Sequence, residues 1–185
     1  MTRAVEHSIR IIGGQWRGTR IAVAHRAQLR PSADRVRETL FNWLTPALPG
    51  ARCLDLYAGT GVLGFEALSR GAHSAHLVEK DAALVTRLNA LKARLKADHA
   101  SVHSADVLGW LNGPAIAYDI VFLDPPFHRG QITTVLARLT HGWLAPAALV
   151  YVECEPAATF ECGSLVPHRE ANTRHVRYML LRHTP

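Results

Sequence analysis

The feature that most constrains this chain is an alternation of apolar and amphipathic segments that begins after Gly50. Apolar runs predict strands at 52–56, 74–79, 100–103, 119–123 and 147–153. The segments between and after them predict helices at 62–70, 81–97, 106–112 and 131–140. Strands with little polar alternation are typical of a parallel sheet that helices cover on both faces. The pattern therefore predicts an α/β protein.

The segments before and after this alternation have different patterns. Two short strands, 9–12 and 19–23, are predicted to pair across the glycine turn 13–18. A helix follows over 32–44, with Val36, Leu40, Phe41 and Leu44 on one face. At the other end, 165–169 and 175–182 are predicted to form an antiparallel hairpin across 170–174. We divide the chain into a hairpin extension, 1–30, and a main domain, 31–185.

Composition excludes several classes of protein. With 48% apolar residues, the 185-residue chain can build a substantial core. Its longest apolar runs have the length of strands, so we expect neither a membrane span nor a secretory signal, and a cytoplasmic location. Cys53, Cys154 and Cys162 lack the spacing of metal ligands, so we expect three buried thiols and no metal.

The net charge of +6 is unevenly distributed. Residues 1–50 contain eight arginines and three carboxylates, a net charge of +5, whereas the remaining residues contribute only +1. Clustered arginine is commonly used to neutralise phosphates, although a solvated basic face explains the charge equally well.

A glycine-rich loop directly follows the first strand of the alternating region. Gly59, Gly61 and Gly64 have the spacing of a dinucleotide fingerprint, and Glu79 ends the next strand, where a carboxylate can bind ribose hydroxyls. The loop by itself is compatible with NAD and with S-adenosylmethionine. Asp55 favours S-adenosylmethionine, because a carboxylate there would repel a pyrophosphate but could bind the ammonium group of a methionine moiety.

Asp106 follows the third strand, where its carboxylate could accept a hydrogen bond from an adenine amine or cap the next helix. Tyr57 could line the methionine side or belong to the core. The complete set of cofactor candidates is Asp55, Tyr57, Gly59, Thr60, Gly61, Glu79 and Asp106.

The most specific motif is Asp124-Pro125-Pro126-Phe127, after the fourth strand of the alternating region. Paired prolines hold an extended backbone, so the Pro125 carbonyl is a rigid acceptor beside the Asp124 carboxylate. Phe127 offers a flat apolar face for a base. Two acceptors suit an exocyclic amine with two N–H donors, because accepting both hydrogens directs the nitrogen lone pair at an electrophile. We take these four residues as catalytic candidates.

The glycine loop and the Asp124–Phe127 motif together resemble the class I amino-methyltransferases. The stretches 11–18, 30–44 and 151–155 resemble bacterial 16S ribosomal RNA guanine-N2 methyltransferases, so the likeness covers nearly the whole chain. The resemblance implies a Rossmann-like, seven-stranded, mostly parallel sheet and S-adenosylmethionine as methyl donor. It also implies 16S ribosomal RNA as partner, in an assembled or assembling small subunit.

The N-terminal region supplies the candidates for RNA contact. Trp16 lies in a glycine turn, where we expect it to stack on RNA rather than to join the core. Arg35 and Arg37 would bind RNA or form a solvated helix face. The complete set of RNA candidates is Trp16, Arg17, Arg30, Arg35, Arg37, His128 and Arg129. We expect a monomer.

Three other functions compete with this interpretation. A DNA adenine-N6 methyltransferase would use the same four-residue motif, but 185 residues leave little room for a target-recognition region. A non-catalytic RNA-binding assembly factor is disfavoured by the intact glycines and Asp124. An NAD oxidoreductase is disfavoured because the sequence shows no obvious acid-base pair beside a substrate pocket.

Overall fold

A computed structural model of the chain describes residues 8–23, 32–126 and 130–184. The N-terminal elements are β1 (Ser8–Arg10), β2 (Arg20–Ala22) and α1 (Ser32–Leu44). The alternating region comprises β3 (Arg52–Leu56), α2 (Val62–Ser69), β4 (Ser74–Glu79), α3 (Ala82–Leu95), β5 (Ala100–Ser104), α4 (Val107–Trp110), β6 (Tyr118–Leu123), α5 (Ile132–Leu139) and β7 (Leu144–Cys154). The last two strands are β8 (Leu165–Asn172) and β9 (Arg177–His183).

Seven strands form one sheet in the order β5-β4-β3-β6-β7-β9-β8. β3 to β7 run parallel, whereas β9 is antiparallel to both β7 and β8. This arrangement confirms the predicted seven-stranded, mostly parallel sheet, and the separate β1-β2 pair confirms the N-terminal hairpin.

Two hydrophobic clusters cover the two faces of the sheet. The first contains α1, α2 and α3, and the second contains α4 and α5. The predicted apolar face of α1 is confirmed, because Val36, Leu40, Phe41 and Leu44 are all buried. Apolar residues on both faces of the strands are thus removed from water, which explains why these strands lack a two-residue alternation.

The N-terminal hairpin docks on the C-terminal end of α2 through Glu66, a fully buried side chain. Its carboxylate accepts hydrogen bonds from the backbone N–H groups of Ile12 and Gly13, at 2.7 and 2.8 Å, and pairs with Arg70 at 2.7 Å. Because hydrogen bonds to a charged group are stronger than neutral ones, this contact holds the glycine turn against the main domain.

Ser69 completes the attachment. Its hydroxyl donates to the Gly13 carbonyl at 2.6 Å and accepts from the Trp16 N–H at 2.8 Å. Ile11 and Ile21 add side chains to the first hydrophobic cluster. The division at residue 30 remains a prediction, but the hairpin shares its core with the main domain.

Two sequence predictions need correction. The C-terminal turn lies at 173–176 rather than 170–174, because the Thr173 hydroxyl accepts from the N–H groups of His175 and Val176 and closes the turn there. Cys53 and Cys154 are buried as expected, whereas Cys162 is only half-buried.

Candidate active site

The sheet reverses its strand order between β3 and β6. From β3 the chain builds outward to β4 and β5, then returns to β6 on the opposite side of β3. In sheets of this kind, ligands bind outside the carboxyl ends of the strands at the reversal point. The glycine loop follows β3 and Asp124 follows β6, so both segments lie at that point.

The glycine loop has a tight, left-handed backbone. Tyr57, Gly59 and Gly61 have φ values of 66°, 54° and 76°. A Cβ atom on Gly61 would lie 2.5 Å from Leu88 and 2.8 Å from Phe65, so only glycine fits there. A Cβ on Gly59 would meet nothing closer than the Tyr57 carbonyl, at 3.8 Å, which leaves open space beside its backbone.

Glu79 connects the glycine loop to the end of β4. Its Oε2 accepts from the Gly59 N–H and its Oε1 accepts from the Asp81 N–H, both at 2.9 Å. The carboxylate therefore lies at the loop, where the sequence predicted a ribose contact, and it also holds the loop in place.

Asp55 is 2% exposed, and its Oδ2 accepts from the Gly64 N–H at 2.9 Å. Burial raises the pKa of Asp55 to about 7, the Gly64 hydrogen bond opposes this rise, and the charge of Glu79 adds to it. The carboxyl group can therefore change its charge near neutral pH, which suits a group that receives a cationic ligand.

Asp106 caps α4, which is one of the two roles that its sequence position allows. Its Oδ1 accepts from the N–H groups of Leu108 and Gly109, at 3.0 and 3.4 Å. Neither bond uses Oδ2, and the side chain is exposed, so capping does not prevent contact with a ligand.

Asp124 is the acidic residue nearest the end of β6. The pKa of Asp124 is raised well above its usual range, first by burial and then by the charges of Glu153 and Asp55. Pro125 beside it is buried and Pro126 is exposed. Phe127, His128 and Arg129 lie outside the described residues.

Two residues at this site were missed by sequence reasoning. Glu153, near the end of β7, lies beside Asp124 because Leu123 pairs with Val152. Its Oε2 accepts from the Tyr151 hydroxyl at 2.7 Å. Its position near the carboxyl end of the neighbouring strand was the available sequence signal.

Gln131 is the second missed residue. Its Oε1 accepts from the Tyr57 hydroxyl at 2.8 Å, which joins the glycine loop to the segment that follows the Asp124 motif. No local pattern connects these two positions, which are 74 residues apart.

The RNA candidates are distributed between surface and core. Arg17 and Arg35 are exposed and line a groove of about 540 Å³ between the hairpin and α1. Trp16 is half-buried and packs against the first hydrophobic cluster, contrary to the expectation that it stays out of the core. Arg30 lies outside the described residues.

Arg37 is not on a solvated helix face. It is 5% exposed and donates to the Arg10 carbonyl at 2.6 Å and to Asp34 at 3.0 Å. Burial lowers the pKa of Arg37, an effect that the charge of Asp34 partly offsets. Its guanidinium joins α1 to β1, so Arg37 stabilises the fold instead of contacting RNA.

Within the three described ranges, no group of three or more His, Cys, Asp and Glu side chains is placed to hold a metal ion. No described helix has both the length and the apolar character needed to cross a membrane.

The Conserved hypothetical protein 95 family model matches residues 9–182. The chain belongs to that family. One protein with a similar sequence is the ribosomal RNA small subunit methyltransferase D of Escherichia coli K12. It is 50% identical over 148 residues, which are 80% of this chain and 75% of the relative.

Solved structures support the same assignment of fold. The Escherichia coli protein yhhF superposes with a TM-score of 0.88 at 45% identity, covering 96% of this chain and 99% of its own. A T. thermophilus 16S rRNA N2 methyltransferase, solved with AdoMet and guanosine, has a TM-score of 0.73 at 22% identity and covers 96% of this chain and 50% of its own. This second likeness concerns the fold alone. This member of the Conserved hypothetical protein 95 family has the class I methyltransferase fold.

Proposed function

We propose that this protein transfers a methyl group from S-adenosylmethionine to the exocyclic N2 of a guanine in small-subunit ribosomal RNA. The observation that carries the proposal is the position of Asp124, at the strand-order reversal directly across from the glycine loop. An amine acceptor and a cofactor loop at one crevice suit a direct transfer between two bound substrates. The name of the Escherichia coli relative supports ribosomal RNA as the acceptor.

The residues at the carboxyl edge fit S-adenosylmethionine. Open space beside Gly59 admits a ligand. Glu79 is the proposed acceptor for ribose hydroxyls, and the Oδ2 of Asp106, which does not take part in the helix cap, is the proposed acceptor for an adenine amine. Asp55 supplies a buried carboxyl group for the ligand ammonium. The bound cofactor supplies an electrophilic methyl group.

The chain's own residues then act on the base. The Asp124 carboxylate and the Pro125 carbonyl accept the two amine hydrogens and direct the nitrogen lone pair toward the methyl group. The C–N bond would form as the S–C bond to the methyl group breaks, and the nitrogen would be positive until it loses one proton. The role assigned to the ionised form of Asp124 is to stabilise that charge and to accept the proton. Phe127 is proposed to stack on the base, which must leave its stack to reach this edge.

Arg17 and Arg35 are proposed to bind RNA in the groove between the hairpin and α1, with Arg30, His128 and Arg129 as further candidates. Asp34 and Glu38 also line that groove, so arginine there is partly balanced by carboxylates. We further propose that the protein acts as a monomer in the cytoplasm, on an assembled or assembling small subunit.

The test is to identify the methylated base. Small ribosomal subunits from a strain lacking the protein are incubated with purified protein and methyl-labelled S-adenosylmethionine, and the RNA is digested to nucleosides. We expect label in N2-methylguanosine. Subunits from the parent strain are the control and should accept little label, because their target is already modified.

The alternatives predict other results. Label in N6-methyladenine of DNA would indicate the DNA methyltransferase. RNA binding without S-adenosylmethionine binding would indicate a non-catalytic assembly factor. Nicotinamide binding in a fluorescence titration would indicate an NAD oxidoreductase. Any of these results would overturn the proposal.

A further inference from the structure

A second cleft lies between β2 and α3. It has a volume of about 310 Å³. Arg87 and Arg94 form one wall and Ile21 the opposite wall, and Gly59 and Thr60 of the glycine loop border it. The cleft therefore runs from the surface of α3 to the loop proposed to hold the cofactor.

The two elements that border this cleft are basic throughout. The hairpin, 8–23, contains three arginines and no Asp or Glu. Helix α3 contains Arg87, Lys92 and Arg94, and again no Asp or Glu. Six cations on two adjacent elements create a local positive potential, which the nearly neutral remainder of the main domain does not share.

Within the part of the chain that the structure describes, the arginines of β2 and α3 are not used to stabilise the fold by ion pairing. Among the described residues, Arg20, Arg87 and Arg94 form no ion pair with a carboxylate. Arg94 donates to the Arg20 carbonyl at 2.6 Å, which ties α3 to β2. Arg87 is exposed in the middle of α3, where the helix dipole gives it no advantage.

The spacing on α3 suits an extended polyanion. Arg87 and Arg94 are seven residues apart, so they lie on the same face of the helix, separated by about 10.5 Å along its axis. Consecutive phosphates of a nucleic-acid strand are closer than this, so one strand lying along α3 meets both guanidinium groups. Arginine is well suited to bind phosphate with paired N–H donors.

We infer that α3 and β2 form an RNA-binding surface in which Arg87 and Arg94 bind backbone phosphates of the RNA flanking the target base. This inference rests on the proposed function, because it takes RNA as the substrate. Phosphate contacts position the strand without reading its sequence. The cleft shares no lining residue with the groove that contains Arg17 and Arg35, so RNA would contact the hairpin at two places.

The experiment compares Arg87→Gln with Arg169→Gln. Arg169 is a matched control, since it is exposed, forms no ion pair among the described residues, and lies on β8 at the opposite edge of the sheet. Both variants remove one positive charge. Affinity for isolated 16S ribosomal RNA is measured over a series of salt concentrations, and methyl transfer to small subunits is measured at one salt concentration.

For Arg87→Gln we expect the slope of log affinity against log salt to fall by about 1, and the KM for subunits to rise about three- to tenfold with kcat unchanged. Arg169→Gln should match wild type. If the two variants behave alike while wild type binds RNA, α3 and β2 do not form the RNA-binding surface, and the proposed function is unaffected.

Two further outcomes separate the failure of the surface from the failure of the function. If wild type shows no salt-dependent RNA binding and no methyl transfer, both the proposed function and this surface are overturned. If Arg87→Gln impairs transfer to small subunits but leaves binding to isolated RNA unchanged, the cleft contacts a protein component and the RNA assignment is overturned.

Discussion

The buried carboxylate of Glu66 accepts the backbone N–H of Ile12 at 2.7 Å, across 54 residues of sequence. Helix α2 starts at the glycine loop and carries Glu66 in its second half, so one short helix connects that loop to the hairpin. The charged side chain of Glu66, together with the Ser69 hydroxyl, therefore holds the hairpin in position.

Replacing Glu66 should weaken the attachment of the hairpin. Glu66→Ala leaves two backbone N–H groups and Arg70 without their partner, so we expect the free energy of unfolding to fall by about 3–5 kcal/mol. Glu66→Gln keeps one acceptor and should cost about 1–3 kcal/mol. Urea denaturation measures both, with exposed Glu161→Gln as the control. Equal stability of Glu66→Ala and the control would contradict this role.

Gly14 and Gly18 offer a matched pair in the same turn. Both have positive φ, 75° and 86°, so alanine strains the backbone at each. A Cβ on Gly14 would lie 1.7 Å from the Ser69 carbonyl oxygen, whereas a Cβ on Gly18 meets nothing within 4 Å. We expect Gly18→Ala to cost about 1 kcal/mol and Gly14→Ala at least about 2 kcal/mol more, measured by thermal unfolding. Similar losses would show that the turn is not packed against α2.

The pKa of about 7 at Asp55 predicts how cofactor binding depends on pH. A ligand ammonium binds the ionised carboxylate, so below that pKa binding must release a proton. Affinity for S-adenosylmethionine should therefore rise about tenfold between about pH 6 and about pH 8. Asp55→Asn keeps an oxygen for the Gly64 N–H and should lack this rise. Calorimetry on wild type and Asp55→Asn measures this affinity at each pH. Ionisation of the ligand itself affects the two proteins equally. If affinity depended on pH in the same way in both proteins, Asp55 would not be the residue that binds the ligand ammonium.

Asp124→Ala should slow methyl transfer by about two to three orders of magnitude while leaving S-adenosylmethionine affinity within a few fold. The reason is that Asp124 acts on the base amine, which becomes positive only in the transition state. Asp124→Asn keeps an acceptor oxygen and should retain partial activity. Single-turnover transfer with saturating RNA measures both rates. A wild-type rate in the alanine variant would exclude Asp124 as the amine-orienting residue.

Glu153 should set the pH at which the enzyme becomes active. Because its charge helps to raise the pKa of Asp124, Glu153→Gln should lower that pKa and shift the rising limb of the pH-rate profile to lower pH. The glutamine can still accept from the Tyr151 hydroxyl, so that hydrogen bond is preserved. In an Asp124→Asn background, Glu153→Gln should cause no shift. A shift that persists in that background would assign the titration to another group.

Local patterns predicted most of the fold. Apolar runs placed β3 and β4 at their observed bounds, and the spacing of Val36 to Leu44 identified the buried face of α1. These features depend on side chains close in sequence, so periodicity reveals them. The C-terminal turn was misplaced because the Thr173 side chain, rather than a glycine or proline, closes it.

The candidate site was predicted in part. The glycine loop and Asp124 were found because loops at the carboxyl ends of parallel strands meet at one edge of a sheet. Trp16 was assigned to the surface because it lies in a glycine turn, and Arg37 because arginine side chains are mostly exposed. Ser69 and the Arg10 carbonyl provide their partners, and both lie far away in sequence.

The sequence by itself determined the α/β class, the glycine loop and the acidic motif after β6, because each depends on residues that are close together in the chain. Only the tertiary structure decided that Glu153 lies beside Asp124, that Glu66 anchors the hairpin, and that Arg87 faces a cleft next to Gly59. Those relationships arise when strand order and helix packing bring distant segments together. Burial then sets the pKa of Asp55 and Asp124, because the desolvation of a carboxyl group depends on the whole fold around it.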